Sequence, residues 1–79
     1  MKDAIISILK EMKPYEEIGE DTELIESGIL DSLSIIALIT ELEDTFEIVI
    51  ADDAVKVENF TSVTEIIKLI NESSRNSDK

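Results

Sequence analysis

Apolar residues at helical spacing in the middle of the chain are the strongest constraint on its fold. From residue 32 to about residue 45, an apolar residue returns every three or four positions, which is the pattern of an amphipathic α-helix. This apolar stripe consists of Ile35, Leu38, Ile39, Leu42 and Phe46. We therefore predict a central helix from Ser32 to about Thr45 that buries the stripe in a helical core.

Some residues of the same helix lie off this stripe and allow two interpretations. They are Leu33, Ile36, Ala37 and Thr40. A helix in a small bundle can bury more than one side, in which case these residues belong to a wide core face. Alternatively they form an exposed docking strip, bordered by the acidic Glu41, Glu43 and Asp44. The off-stripe position of Ile36 favours docking.

Two more helices are predicted on either side of the central one. The first covers residues 2–13, and Pro14 ends it. Its apolar stripe is Ala4, Ile5, Ile8, Leu9 and Met12. The last begins at a capping box, Ser62 to Glu65, and runs to about Asn71. Its inward residues are predicted to be Val63, Ile66, Ile67 and Ile70.

The segments between the helices complete an all-α prediction. Ile48–Ile50 alternates too briefly for a strand and is expected to be an extended connector, while residues 52–57 suggest a short helix capped by an aspartate. The fold is therefore a small bundle of three main helices with a short helix before the last. We predict one domain over residues 1–72 and a flexible polar tail over residues 73–79. The connection over residues 14–31 is expected to be held on the core by Ile18, Leu24, Ile25, Ile29 and Leu30.

Composition excludes several classes of function. The chain has no cysteine and no histidine, so it has no cysteine nucleophile, no histidine general base or catalytic triad, and no cysteine or histidine metal ligand, and we predict that it is not an enzyme and holds no metal. Its 19 acidic and 7 basic residues give a net charge of -12, which argues against binding nucleic acid or anionic membranes. No apolar run is long enough to span a membrane. The start lacks the layout of a secretory signal, so we expect a cytoplasmic protein. We also expect it to be a monomer.

The stretch from Gly28 to Leu33 carries the candidate chemistry. Gly28 suits a turn, and Asp31 and Ser32 are both good caps for the helix that follows. In either case the Ser32 hydroxyl lies at the first helical turn, where free backbone N–H groups and the helix dipole would stabilise a phosphate ester on its oxygen. From spacing alone, a simple cap at Asp31-Ser32 is the more common explanation.

This stretch resembles the attachment motif of acyl carrier proteins and peptidyl (aminoacyl) carrier domains, Asp-Ser-Leu after Gly-x-x. The resemblance extends from about Ala4 to Ile70. Its further elements are the pair Leu24-Ile25, the set Leu38, Leu42, Glu43 and Phe46, the segment Ile48-x-Ile50, and the run Asn59 to Val63.

The resemblance implies an acyl-carrier-like fold and a stand-alone carrier function. In this family the serine matching Ser32 receives 4′-phosphopantetheine, and Asp31 belongs to the attachment motif. The modifying phosphopantetheinyl transferase uses coenzyme A and Mg²⁺. The arm holds an acyl or aminoacyl cargo as a thioester for enzymes of fatty-acid, polyketide, nonribosomal-peptide or D-alanine-transfer type. A loading ligase or synthase and later transferases, with basic docking surfaces, are the expected partners. The implied partner face is Leu33, Ile36, Ala37, Thr40, Glu41 and Asp44.

Departures from the family pattern narrow the type of carrier. Fatty-acid carriers commonly have an acidic residue at the position of Ala37 and a larger apolar residue at the position of Thr40. The run from Glu58 to Val63 looks more like the matching run of peptidyl or D-alanine carriers. The alternative function is an unmodified acidic helical adaptor that binds a basic protein partner. In that case Asp31-Ser32 is only a helix cap.

Overall fold

Three helices form the framework of the protein. The computed structural model describes the backbone of residues 1–77 and the side chains of residues 1–73. The helices are α1 (Lys2–Met12), α2 (Ser32–Phe46) and α3 (Val63–Ser77), and two 3₁₀ turns, Asp52–Ala54 and Val57–Phe60, precede α3. Helix α1 contacts both α2 and α3, while the second 3₁₀ turn contacts α3. The all-α bundle predicted from the sequence is confirmed.

The core consists of aliphatic side chains around one aromatic residue. Phe60 is completely buried, whereas Tyr15 is exposed and Phe46 is only partly buried. Each helix contributes aliphatic residues that are fully buried: Ile5 and Leu9 from α1, Leu38 and Leu42 from α2, and Val63 and Ile66 from α3. Complete burial of one such side chain contributes roughly 1.5–3 kcal/mol to stability. Because the chain has no cysteine, this packing holds the fold without disulfides.

The long connection between α1 and α2 is fixed to the entry of α3. The Leu24 N–H donates to the Thr61 carbonyl oxygen at 2.9 Å, and the Leu30 N–H donates to the Leu24 carbonyl oxygen at 2.9 Å. Gly28 has a φ of 84°, a backbone conformation that glycine adopts without strain. The predicted anchors are confirmed, since four of them are buried and Ile25 is packed partly against the core. The connection therefore sets where α2 begins.

Helix α3 differs from its prediction in length and in the residues that it buries. It continues past Asn71 to Ser77, because residues 72–77 contain neither glycine nor proline to end it. Leu69 is buried while Ile67 is only partly buried, and Ser73 lies on the same buried face one turn further on. Residues 78 and 79, which end the predicted flexible tail, lie outside the described residues. The flexibility of residues 73–79 stays a prediction.

The predicted short helix is two 3₁₀ turns. The first turn is only three residues long, and its N-cap is Ala51 with no side-chain cap bond, so an aspartate cap at this point is wrong. The second turn ends at Phe60, whose buried ring draws the chain back to the core. Ile48 and Ile50, which precede the first turn, are also buried. The chain between α2 and α3 therefore alternates between the core and solvent and does not form a continuous α-helix.

Helix α2 ends in a left-handed cap made by a residue other than glycine. Glu47 has a φ of 53° and a ψ of 53°, and the Ile48 N–H donates to the Glu43 carbonyl oxygen at 3.2 Å. The Glu43 carboxylate also accepts from the Ile50 N–H at 3.0 Å. Glu43 therefore holds both the helix end and the extended connector that follows.

Replacing Glu47 by glycine is expected to raise the free energy of unfolding by about 0.5–1 kcal/mol, because glycine adopts the left-handed region without strain. Glu47→Ala is the matched control, since it removes the charge and keeps the Cβ atom. Urea denaturation measures both variants. Equal stabilisation by glycine and alanine would assign the gain to charge and contradict the strain argument.

Candidate functional site

Asp31 is the N-cap of α2. Its backbone is extended, with a φ of -124° and a ψ of -174°. Its Oδ1 atom accepts a hydrogen bond from the Ser34 N–H at 2.8 Å. Of the two caps that the sequence allows, the structure selects Asp31, and Ser32 becomes the first residue of the helix. Asp31 therefore satisfies one of the free N–H groups of the first turn.

Ser32 is exposed, and within residues 1–77 its hydroxyl makes no hydrogen bond to another group. The oxygen lies at the positive end of the helix dipole, close to backbone N–H groups that have no partner inside the helix. Its surroundings favour a negatively charged ester on this oxygen. The serine can therefore be modified without breaking any contact that holds the fold.

Two carboxyl groups, Asp31 beside Ser32 and Glu23 in the preceding connection, have shifted pKa values. The pKa of Asp31 is lowered, first by the hydrogen bond from the Ser34 N–H, then by the Ser34 hydroxyl, with a smaller contribution from the positive charge of Lys13. In the acidic connection, the pKa of Glu23 is raised by a hydrogen bond to Glu26 and by repulsion from its charge. The aspartate before Ser32 is thus held ionised, while carboxylates crowd each other in the connection.

A small groove lies beside Ser32, between α2 and the segment that follows the first 3₁₀ turn. Its volume is about 190 Å³, and its lining consists of Ser32, Ile35, Ile36, Val55, Lys56 and Val57. Apart from Ser32 and Lys56, the lining is wholly aliphatic. The groove therefore places an apolar surface and one lysine residue beside Ser32.

The far wall of this groove is held by hydrogen bonds of the turn itself. The carbonyl oxygen of Ala54 accepts from the Lys56 N–H at 3.0 Å and from Asn59 Nδ2 at 2.8 Å. Asn59 immediately precedes the fully buried Phe60. These contacts, next to the buried Phe60, fix the backbone of the segment in which Lys56 and its two valine neighbours line the groove.

The predicted partner-face residues all lie on the exposed surface of α2. They are Leu33, Ile36, Ala37, Thr40, Glu41 and Asp44. Leu33 is 79% exposed and Ile36 is 59% exposed, which is unusual for large apolar side chains in a small domain. Of the two interpretations of these off-stripe residues, the wide buried face is wrong. That a partner docks on them stays a prediction.

Sequence reasoning missed the contribution of Val55, Lys56 and Val57 to the site. It placed these residues in a short helix, whereas Val55 and Lys56 lie between the two 3₁₀ turns and Val57 begins the second. The available signal was the valine–lysine–valine alternation, in which two exposed β-branched residues flank the only basic residue between Lys13 and Lys68. That alternation is typical of extended chain and argues against a helix.

Among the described side chains, no group of three or more acidic residues is arranged to bind a metal ion.

Within residues 1–77, no helix combines the length and the apolar character needed to cross a membrane.

Comparisons with known proteins match this site. The family model named phosphopantetheine attachment site matches residues 1–70. The D-alanyl carrier protein of Lactococcus lactis subsp. cremoris (strain MG1363) is 33% identical over 76 residues, covering 94% of this chain and 96% of that protein. That of Lactococcus lactis subsp. lactis (strain IL1403) is 34% identical over 74 residues, covering 91% and 94%. That of Streptococcus pyogenes serotype M1 is 36% identical over 59 residues, covering 72% and 75%. No solved structure matches the chain at a significant level.

The chain therefore belongs to the family of proteins with a phosphopantetheine attachment site. It is a carrier protein, and its cofactor is covalently attached 4′-phosphopantetheine. A carrier protein interacts with the transferases and ligases that modify and load it. This membership favours the carrier function over the unmodified adaptor.

Replacing Asp31 by alanine is expected to lower the melting temperature by several degrees, because the Ser34 N–H loses its acceptor. Asp31→Asn is the matched control: its amide oxygen still accepts, but the charge at the helix N-terminus is lost, so its melting temperature lies between the other two. Thermal denaturation followed by circular dichroism measures all three proteins. Equal melting temperatures for the wild type and Asp31→Ala at about pH 7 would contradict this role for the cap.

The same variants test the pH dependence of the cap. Because the pKa of Asp31 is lowered by folding, its charge stabilises the fold fully above the ordinary aspartate pKa of about 4. This stabilisation is lost as the pH falls through the lowered folded-state pKa. The difference in melting temperature between the wild type and Asp31→Asn is therefore expected to shrink below about pH 4. A difference that grows on acidification is the opposite result.

Proposed function

We propose that Ser32 is the residue that carries 4′-phosphopantetheine and that this protein is a carrier of D-alanine. The observation that carries the attachment is the placement of Ser32: an exposed hydroxyl with no structural bond, in the first turn of a helix that Asp31 caps. The family match supplies the prosthetic group. The D-alanyl carrier relatives support the cargo.

The attachment reaction needs only an accessible serine oxygen from this chain. A bond forms between Ser32 Oγ and the phosphorus that bears pantetheine, and the pyrophosphate bond of coenzyme A breaks. Adenosine bisphosphate leaves, and the serine proton passes to a base of the transferase or to solvent. The first-turn N–H groups of α2 then stabilise the phosphodiester charge. Asp31, kept ionised by its cap bond, holds the helix start in place for the transferase.

The residues around Ser32 fit this group. Ser32 is exposed, and a groove lined by aliphatic residues and Lys56 lies beside it. The attached arm supplies a thiol, which a chain without cysteine lacks, and the thiol can hold an amino acid as a thioester. This chain contributes position: its rigid helix keeps the attachment point fixed while the arm reaches a partner enzyme.

Small cargo agrees with the packing of the bundle. The groove beside Ser32 measures about 190 Å³, and the side chains at the centre of the core, among them Leu24, Leu38 and Leu42, are completely buried. A close-packed interior of this kind admits a long acyl chain only if the helices separate. D-alanine, held outside on the arm, requires no such change.

We also propose how the carrier meets its partners. The modifying transferase and a D-alanine-activating ligase are expected to dock on the α2 surface that contains Leu33, Ile36 and Ala37, with Thr40, Glu41 and Asp44 beside them. Exposed apolar residues next to acids favour a partner with an apolar patch surrounded by basic residues. In this proposal the protein is a monomer in the cytoplasm, where coenzyme A is available. It is a substrate of these enzymes and has no catalytic residue of its own.

Replacing Ser32 by alanine is expected to abolish the addition of phosphopantetheine and to change the free energy of unfolding by less than about 0.5 kcal/mol, because the hydroxyl holds no structural contact. The variant is incubated with coenzyme A, Mg²⁺ and a broad-specificity phosphopantetheinyl transferase, and its intact mass is measured. Ser34→Ala is the matched control, two residues away in the same helix turn, and it accepts the group. Modification of Ser32→Ala would overturn the assignment.

The protein carrying the arm is expected to accept D-alanine from a D-alanine-activating ligase and ATP. The bond is a thioester, so hydroxylamine removes the added mass, and Ser32→Ala shows no gain. L-alanine and a long-chain fatty acid with its own ligase serve as competing cargoes. Loading by the fatty acid in place of D-alanine would contradict the proposed cargo and leave the attachment site unaffected.

A further inference from the structure

Lys56 has an unusual position in a very acidic protein. The chain has no other lysine or arginine between Lys13 and Lys68. In the described part of the chain, ion pairs join Lys2 to Glu20 and Lys68 to Glu65, and Lys56 takes part in neither. Lys56 lines the groove that also contains Ser32, and it also lines a second groove that contains Asp53 and Glu72. The proposed function gives no role to this lysine.

The turn that carries Lys56 is ordered without help from the ammonium group. The Ala54 carbonyl oxygen accepts from the Lys56 N–H and from Asn59 Nδ2, and the Asn59 N–H donates to the Lys56 carbonyl oxygen at 3.0 Å. The backbone at Lys56 is therefore fixed by contacts that do not involve its ammonium group, and among the described side chains this group takes part in no ion pair.

Attachment of the arm creates the need for a cation at this point. A phosphodiester carries one negative charge, and it would be added to a chain whose net charge is already -12. Repulsion from the surrounding carboxylates opposes this addition. The N-terminal turn of α2 offsets part of the repulsion, and an ammonium group in the same groove offsets more.

The chemical groups of the arm match the residue types that line the groove. In 4′-phosphopantetheine, a carbon bearing two methyl groups follows the phosphate within a few bonds. The groove is lined by Lys56 together with Ile36, Val55 and Val57, and these three apolar residues are exposed. A charged group followed by a branched apolar group thus meets an ammonium group beside branched apolar side chains.

We infer that Lys56 is the counter-ion of the phosphodiester on Ser32 and holds the first part of the arm against the groove formed by Ile36, Val55 and Val57. Lys56 is a positioning residue, and it takes no part in the chemistry of loading. This inference rests on the proposed attachment at Ser32. It implies that the arm exchanges between a state docked on the groove and a free state that reaches partner enzymes.

The test compares the protein with and without the arm in three forms: wild type, Lys56→Gln and Lys68→Gln. Lys68→Gln is the matched control, because it removes the same charge from a lysine that is paired with Glu65 on α3. Amide chemical shifts report where the arm lies, and ³¹P relaxation reports the mobility of the phosphodiester. Circular dichroism checks that each variant is folded, and intact mass checks that each carries the arm.

In the wild type and Lys68→Gln, the arm is expected to shift the amide signals of residues 55–57 and of Ile36. In Lys56→Gln these shifts decrease and the phosphodiester becomes more mobile, since loss of an exposed ion pair lowers the docked population by up to about fivefold. Salt near 1 M reduces the wild-type shifts in the same way.

Equal shifts in Lys56→Gln and Lys68→Gln would overturn the role of Lys56 and leave Ser32 as the attachment residue. Shifts at residues 55–57 that appear only after a partner enzyme is added would also overturn it, because Lys56 would then serve the partner. If the wild type accepts no arm at all, the proposed function fails, and this inference fails with it.

Discussion

The hydrogen bond from the Ser34 N–H to the Asp31 carboxylate, 2.8 Å long, is the contact on which the site depends. Because Asp31 caps α2, the helix begins at residue 32 and the Ser32 hydroxyl is not needed for the cap. A serine in the cap position would have its oxygen turned toward the backbone and occupied. Asp31 caps the helix, and the hydroxyl of Ser32 is left exposed. This arrangement makes the start of the helix suitable for covalent modification.

That helix start is itself held by the packing of the preceding connection. Leu24 and Leu30 are buried and joined by a backbone hydrogen bond, and Leu24 is also bonded to Thr61 at the entry of α3. A connection of this length has a large conformational entropy unless it is anchored. Here the anchors are side chains of the common core, so the position of Ser32 is determined by the same interactions that hold the bundle together.

Charge has two roles in the proposed site. In the proposed function, the acidic surface favours basic partners, and the exposed apolar residues Leu33 and Ile36 are the contact proposed for them. Lys56 is a basic residue on this acidic surface, and it lines the groove beside Ser32. The same surface can thus attract an enzyme through its carboxylates and retain the arm through one ammonium group.

Much of this arrangement can be predicted from the sequence, and the exceptions have physical causes. The stripes of α1 and α2, the anchors at Leu24 and Leu30, and the exposed hydroxyl at Ser32 follow from helical periodicity, Pro14 and the preference of Asp31 for caps. Two features do not follow. The burial of Leu69 in place of Ile67 depends on how α3 is rotated against α1, and the groove wall at Val55 to Val57 depends on where the buried Phe60 draws the chain. The alternation from Val55 to Val57 argues against a helix, but local pattern does not show which tertiary contact either segment makes.

The central claim is that one phosphodiester forms on Ser32 and nowhere else. Its most direct test is tandem mass spectrometry of the peptide that contains Ser27, Ser32 and Ser34, after the wild-type protein has been incubated with coenzyme A, Mg²⁺ and a phosphopantetheinyl transferase. The account predicts a single phosphopantetheine on Ser32 and unmodified serines on either side. A folded protein that takes no group, or one that takes it on Ser27 or Ser34, would contradict the account.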